Sequence, residues 1–240
     1  MVKNYLKKIV ILGTTGSGKT TFLKNLVGDF EGAEVKRQVV VEEAQILNTF
    51  TPYKGLGLFT DSTTTVSMNA KSVLFLTTRT NQFQFYPLTK ELPIPHEDMD
   101  QLMPTMIIDT AGQERFSFMQ EIGLNGADGV FIFADGSNIG SIERVTQYLE
   151  MIENEATLKS KKIPIMIFVN KKDLEAKGLY VGADALKRYI DDSKENLHIY
   201  ETSNLDIDSF MIPIRIFLSQ IEGFPIDAQS LEIKSVHEVF

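Results

Sequence analysis

Eight residues, Gly13-Thr14-Thr15-Gly16-Ser17-Gly18-Lys19-Thr20, limit the folds open to this chain. An apolar run, Ile9-Val10-Ile11-Leu12, leads into them, and Thr21-Phe22-Leu23-Lys24-Asn25-Leu26 follows with helix-forming character. Glycine at 13, 16 and 18 permits backbone conformations that a Cβ forbids. A strand–turn–helix with that freedom points successive N–H groups inward as an anion nest. The helix adds its unsatisfied N-terminal N–H groups and its positive dipole end. The order G-x-x-x-x-G-K-T is that of a phosphate-binding P-loop. Lys19 then supplies a point charge to β- and γ-phosphates, and the Thr20 hydroxyl a ligand for Mg²⁺. An ordinary glycine-rich turn is the plainer alternative, but the full pattern between strand and helix is uncommon. Alone, the loop names neither the base nor the reaction.

Such a loop requires a sheet to carry it, and the second half of the chain has the pattern of one. Gly129–Ala134, Ile163–Val169 and Leu197–Tyr200 read as buried strands, with helices over 138–158, 182–192 and 206–222 between and after them. Alternating strands and helices predict an α/β fold, a mostly parallel central sheet flanked by helices on both faces. Ser72–Leu76 and Gln82–Tyr86 read as two strands joined by a Thr-rich turn. Prolines at 87, 93, 95 and 104 make 87–104 a poor candidate for regular structure, leaving Thr105–Ile108 as a short buried strand. At 240 residues and 43% hydrophobic, the chain has material for one large core.

The net charge of −8 argues against a general nucleic-acid binder, whose affinity rests on a basic surface. With no cysteine, disulfides, thiolate zinc sites, cysteine nucleophiles, prenylation and palmitoylation are excluded. Residue 2 is Val, which excludes N-myristoylation, and no apolar run is long enough to cross a bilayer. The expectation is a cytoplasmic protein without a direct lipid anchor, meeting membranes only through a partner. The acidic run His96-Glu97-Asp98 with Asp100 reads as solvated surface rather than a metal site.

Three further motifs follow strands. Asp109-Thr110-Ala111-Gly112-Gln113-Glu114-Arg115-Phe116 comes directly after Thr105–Ile108. An Asp at a strand end beside a P-loop is where a Mg²⁺-organising carboxylate belongs. Gly112 can bring its N–H close to a γ-phosphate, and Gln113 can orient an attacking water. Asn170-Lys171-Lys172-Asp173 follows Val169. A buried carboxylate at Asp173 can accept from N1–H and the 2-amino group of guanine, a donor pair that adenine lacks, and such a mismatch discriminates strongly. The Lys171 stem can lie along the base, and Asn170 can tie this loop to the P-loop. Glu201-Thr202-Ser203-Asn204, after the last strand, can offer backbone N–H groups to the guanine carbonyl oxygen.

In this order and context, these four motifs resemble those of the Ras-superfamily small GTPases over roughly residues 5–222. Asp109–Phe116 is most similar to the Rab and Ras branches and unlike the Arf branch, which has Gly where Ala111 stands. The resemblance implies GTP and GDP as substrate and product, Mg²⁺ as cofactor, and protein effectors, activating factors and exchange factors as partners. It implies nucleotide contacts from Gly13, Thr15, Gly16, Ser17, Gly18, Lys19, Thr20, Thr21, Gly112, Asn170, Lys171, Asp173, Ser203 and Asn204. It further implies a first-switch threonine closing on Mg²⁺ and the γ-phosphate. Among Thr63, Thr64 and Thr65 the choice is Thr65, because aliphatic Val66 follows it, with Thr64 the alternative. Metal ligation then falls to Thr20 and Thr65, with Asp109 acting through water. Catalysis falls to Gln113, Lys19 and Thr65. Phe30 is a candidate for stacking on guanine or for the core.

The chain also departs from the pattern. It is long from Lys19 to Thr65 and from Thr65 to Asp109, which implies additions at about 29–60 and 77–104 within a domain of residues 1–223, followed by an extension or tail over 224–240. Thr15 stands where many Ras proteins have Gly, and Asn204 where Ala is usual. Two readings compete: a GTP-hydrolysing molecular switch, slow without an activating protein, and a weakly hydrolysing GTP-binding structural subunit recruited through the additions.

Overall fold

The computed structural model describes residues 6–27, 69–79, 82–87, 99–110, 112, 117–155, 161–190, 197–222 and 232–233. Thr63, Thr64, Thr65, Phe30, Gln113 and the cluster at 96–100 apart from Met99 and Asp100 lie outside them.

The strands are β1 (Lys7–Gly13), β2 (Asn69–Thr78), β3 (Gln82–Pro87), β4 (Met99–Asp109), β5 (Gly129–Asp135), β6 (Ile165–Asn170), β7 (Leu197–Glu201) and β8 (Glu232–Ile233). The helices are α1 (Lys19–Val27), α2 (Ser117–Leu124), α3 (Ile139–Asn154), α4 (Gly182–Leu186) and α5 (Met211–Ser219). The strands form one sheet in the order β7-β6-β5-β1-β4-β2-β3-β8. Pairing is parallel throughout β7-β6-β5-β1-β4 and antiparallel between β4, β2 and β3. The chain leaves β1 for one side of the sheet and returns through β5 on the other, so β1 sits at the topological switch point, where ligands of such sheets bind.

Two apolar layers sandwich the parallel half, because alternate residues of each buried strand face opposite sides. Ile9 and Ile11 of β1, Phe131 and Phe133 of β5 and Phe168 of β6 pack under α1 and α5. Val10, Leu12, Val130, Ile132, Ile167 and Val169 pack under α2, α3 and α4. The first layer is strongly aromatic: Phe22 and Phe210 lie 4.9 Å apart between ring centroids, and Phe131 and Phe217 lie 4.4 Å apart. Gly129 allows that approach, since a Cβ there would run into the Phe217 ring. Among the described residues, no helix is long and apolar enough to cross a membrane.

The strand expected at Thr105–Ile108 is eleven residues long and contains Pro104. β1 begins pairing only at Thr105, so at Pro104 the strand has a neighbour on one side, Leu74 of β2. A proline is tolerated there because its missing N–H can face the open side. Part of the expected addition at 77–104 is therefore sheet: β3 extends it beyond β2, and the first half of β4 pairs with β2 before β1 begins. Glu232 and Ile233 pair in parallel with Gln82 and Phe83 at that edge. Pro213 lies in the first turn of α5, where a missing N–H costs nothing.

Replacing Phe131 by Ala removes a ring that packs on Phe22, Phe168 and Phe217. Urea denaturation should show a loss of about 3–5 kcal/mol. Phe118→Ala, at a side chain 54% exposed, should stay within about 0.5 kcal/mol.

Candidate functional site

All five parallel strands end on one edge, and the register places their last residues side by side. Ile11 of β1 pairs with Asp109, Gly13 with Phe133, Asp135 with Asn170, and Val169 with Glu201. Each of the motifs read from the sequence begins at one of these ends.

The loop between β1 and α1 has the backbone its glycines predict: φ is +144° at Gly13, +77° at Gly16 and +101° at Gly18. At Gly13 a Cβ would strike the Phe133 carbonyl, and at Gly18 it would strike the amide nitrogens of Asn170 and Asn204. The loop folds around Lys19, whose Nζ donates to the carbonyls of Gly13 and Thr14, both at 2.8 Å. Ser17, fully buried, donates from Oγ to the Thr14 carbonyl at 2.8 Å. Thr15, Gly16 and Thr21 are exposed at the mouth of the loop. Burial pushes the Lys19 ammonium down to about 8, against the opposing pull of the Asp109 carboxylate.

Asp109 reaches this loop from the neighbouring strand. Its Oδ2 accepts from Thr20 Oγ1 at 2.7 Å, while Oδ1 is buried without a hydrogen-bond partner among the described residues. Burial raises its pKa, partly offset by the Thr20 bond and the Lys19 charge. Thr110 fixes the strand end by donating from Oγ1 to the Ile11 carbonyl at 2.7 Å. Gly112 lies against the P-loop: a Cβ there would stand 2.5 Å from the Thr15 nitrogen and 2.7 Å from Lys19 Nζ. A side chain would therefore fill the place where an anion meets the lysine.

The third and fourth motifs close the other side. Asn170, 1% exposed, donates from Nδ2 to the Ser17 carbonyl at 2.9 Å. Asn204 donates from Nδ2 to the Gly18 carbonyl at 2.9 Å. Lys171 adopts the left-handed region, φ +71°, at the start of a 3-10 turn over Lys172–Lys177. Its Nζ makes an ion pair with Asp135 Oδ2. Burial would raise the Asp135 pKa, but the bonds from Lys171 and Ser137 outweigh it and hold the carboxyl below its ordinary value. Ser203 Oγ donates to Asp173 Oδ1 at 2.5 Å.

Two expectations change here. Asp173 is exposed rather than buried, because the 3-10 turn that carries it lies beyond the strand end and has no buried residue. The Ser203 N–H is already engaged by Ser209 Oγ at 3.1 Å, so Ser203 contributes its hydroxyl to Asp173 instead.

The profile of the Ras family matches residues 70–209, more than half of the chain. The chain belongs to the Ras family. The Ras-related protein RabZ of Dictyostelium discoideum is 35% identical over 95 residues, 40% of this chain and 39% of that protein. Rab-32A of the same organism is 23% identical over 219 residues, 86% of this chain and 78% of its own length. The Ras-related protein RABA4c of Arabidopsis thaliana is 36% identical over 100 residues, 42% of each chain. The chain thus spans about two fifths of the length of RabZ and RABA4c. The Ras-family match begins after the P-loop, which is joined to the matched segment by Asn170, Asn204 and Asp109.

Several supporting residues of this Ras-family site were not singled out by the sequence. Asp135 anchors Lys171, and only its place at a strand end could have signalled it. Ser141 Oγ joins Thr14 Oγ1 at 2.6 Å and accepts from the Asp135 N–H at 2.9 Å, tying the P-loop to the start of α3. Glu201 accepts from Lys172 Nζ and from the Ala183 N–H, both at 2.9 Å, bracing the loop after β6 against α4.

The lowered Lys19 pKa has a measurable consequence. A bound polyphosphate raises it again, so nucleotide binding should take up protons near pH 8. Calorimetry in buffers of different ionisation enthalpy should show uptake growing from about a quarter of a proton per site at pH 7.5 to about three quarters at pH 8.5. Uptake that is flat or falling over that range would contradict this assignment of the Lys19 charge.

Proposed function

We propose that the chain binds GTP and GDP with Mg²⁺ and hydrolyses GTP slowly, acting as a molecular switch. The observation that carries the reading is the convergence on one sheet edge of a buried lysine, an acid with a buried oxygen that has no partner among the described residues, and two asparagines holding successive P-loop carbonyls. Gly13, Thr15, Gly16, Ser17, Gly18, Lys19 and Thr21 would surround the phosphates. Asn170, Lys171, Asp173, Ser203 and Asn204 would form the base side.

A hard cation fits at Thr20 and Asp109, an all-oxygen pair whose Asp109 Oδ1 is buried with no other partner among the described residues. Thr20 would bind Mg²⁺ directly and Asp109 through water, with Thr65 the expected third contributor. When bound, Mg²⁺ neutralises charge on the β- and γ-phosphates. Lys19 places its ammonium beside the same oxygens, and its low-dielectric setting strengthens that interaction. The missing Cβ of Gly112 leaves open the space beside the Lys19 ammonium that the γ-phosphate would take. Gln113 would orient water for in-line attack. Effectors, an activating factor and an exchange factor would read the segments around Thr65 and Gly112, which the γ-phosphate orders. An arginine from an activating factor is worth about 10³–10⁵ in rate in Ras-type GTPases. The switch domain is taken as residues 1–223.

Single-turnover hydrolysis of GTP by the purified chain tests the reading. Hydrolysis should be slow, on the order of 10⁻⁴ to 10⁻² s⁻¹, and Gln113→Leu should slow it further. Equal, negligible rates for the two proteins would favour a GTP-binding structural subunit instead.

A further inference from the structure

Asn204 occupies the position where the family resemblance expects alanine, and its side chain is directed at the phosphate loop. Nδ2 donates to the Gly18 carbonyl at 2.9 Å, and the missing Cβ of Gly18 is what lets the amide approach. The Asn204 carbonyl in turn accepts from Asn25 Nδ2 of α1 at 2.8 Å. Side chain and main chain therefore fasten this residue to the two ends of one element, the P-loop and the helix it opens. Asn204 Oδ1 is buried and has no partner among the described residues. Leaving an amide oxygen unpaired is unfavourable, so a group held this way is retained for its donor.

The geometry gives that donor a specific task. In a trans peptide the C=O of one residue and the N–H of the next point in opposite directions. The Gly18 carbonyl also takes a helical bond from the Phe22 N–H at 2.8 Å, and the Asn204 amide adds a second hold, from outside the helix, on the direction of the Lys19 N–H. Asn170 treats the preceding peptide alike through the Ser17 carbonyl. Asn170 comes from the end of β6, whereas Asn204 belongs to the base-side loop whose Ser203 holds Asp173. Asn204 is thus a second link, beside Asn170, between the base side and the phosphate loop, and it comes from the loop after β7.

We propose that Asn204 is a positioning residue that locks the Gly18–Lys19 peptide to the base-side loop and thereby slows nucleotide release. The proposal rests on the guanine-nucleotide reading of the site. Each end of a bound nucleotide then holds a loop that is tied to the other, so neither loop opens alone.

The test is dissociation of fluorescent N-methylanthraniloyl-GDP from the full chain, chased with excess GDP in Mg²⁺, for the wild type, Asn204→Ala and Asn204→Asp. Asn204→Asp keeps the size and replaces the donor by an acceptor facing the Gly18 carbonyl. Release should be about tenfold faster in Asn204→Ala, equivalent to about 1.4 kcal/mol. It should be at least as fast in Asn204→Asp, with association of both variants within about twofold of wild type. A general loss of structure would instead lower the bound stoichiometry. Release from both variants within about twofold of wild type overturns the clamp, as does an Asp variant that holds nucleotide like the wild type. Failure of the wild type itself to bind the probe overturns the underlying reading, and is told apart by the absence of any wild-type signal.

Discussion

A lysine ammonium sits inside this fold, 5% exposed, held by two carbonyls of the loop that precedes it. Burying a cation is unfavourable, and even with the Asp109 carboxylate pulling the other way its pKa falls to about 8. Much of the surrounding structure serves to hold that arrangement. Three glycines with positive φ shape the loop. Ser17 pins its Thr14 carbonyl, and Asn170 and Asn204 pin the carbonyls of Ser17 and Gly18. The result is a set of carbonyls turned into the protein and a set of N–H groups left for an anion, which is the electrostatic requirement of a phosphate site.

The sheet supplies the precision. Because β1, β4, β5, β6 and β7 are parallel and register-matched, their ends deliver Gly13, Asp109, Asp135, Asn170 and Glu201 to one edge. The aromatic layer beneath α1 and α5 fixes the helix that carries Lys19 and Thr20, through Phe22 packed on Phe133, Phe168 and Phe210. Core and site share one element there. A side chain at position 22 of a different size would shift the start of α1 and with it the whole cradle.

Much of this was legible in the sequence, because a P-loop and the motifs after strands are local patterns with strict backbone demands. The parallel sheet followed from alternating buried strands and helices, and the bond from Asn170 to the P-loop and the positive φ of Gly18 from residue type and place. What the sequence did not disclose is non-local. The Lys171–Asp135 ion pair joins a motif residue to one outside every motif, and Pro104 sits in a strand because the neighbouring strand ends one residue away. The exposure of Asp173 depends on what covers a turn, which no local pattern states. Asn204 was read for its backbone, whereas its side chain contacts a loop 186 residues distant. Thr65 and Gln113 rest on the sequence alone.

The central claim is that these loops together recognise a guanine nucleotide, with Asp173 reading the base. Its most direct test is the affinity of the full chain for GDP and for xanthosine diphosphate, measured in Mg²⁺ for the wild type and for Asp173→Asn. The account predicts that the wild type prefers GDP and that Asp173→Asn shifts the preference toward xanthosine diphosphate, since an amide at 173 can donate where the carboxylate only accepts. An unchanged order of preference in the variant would contradict it.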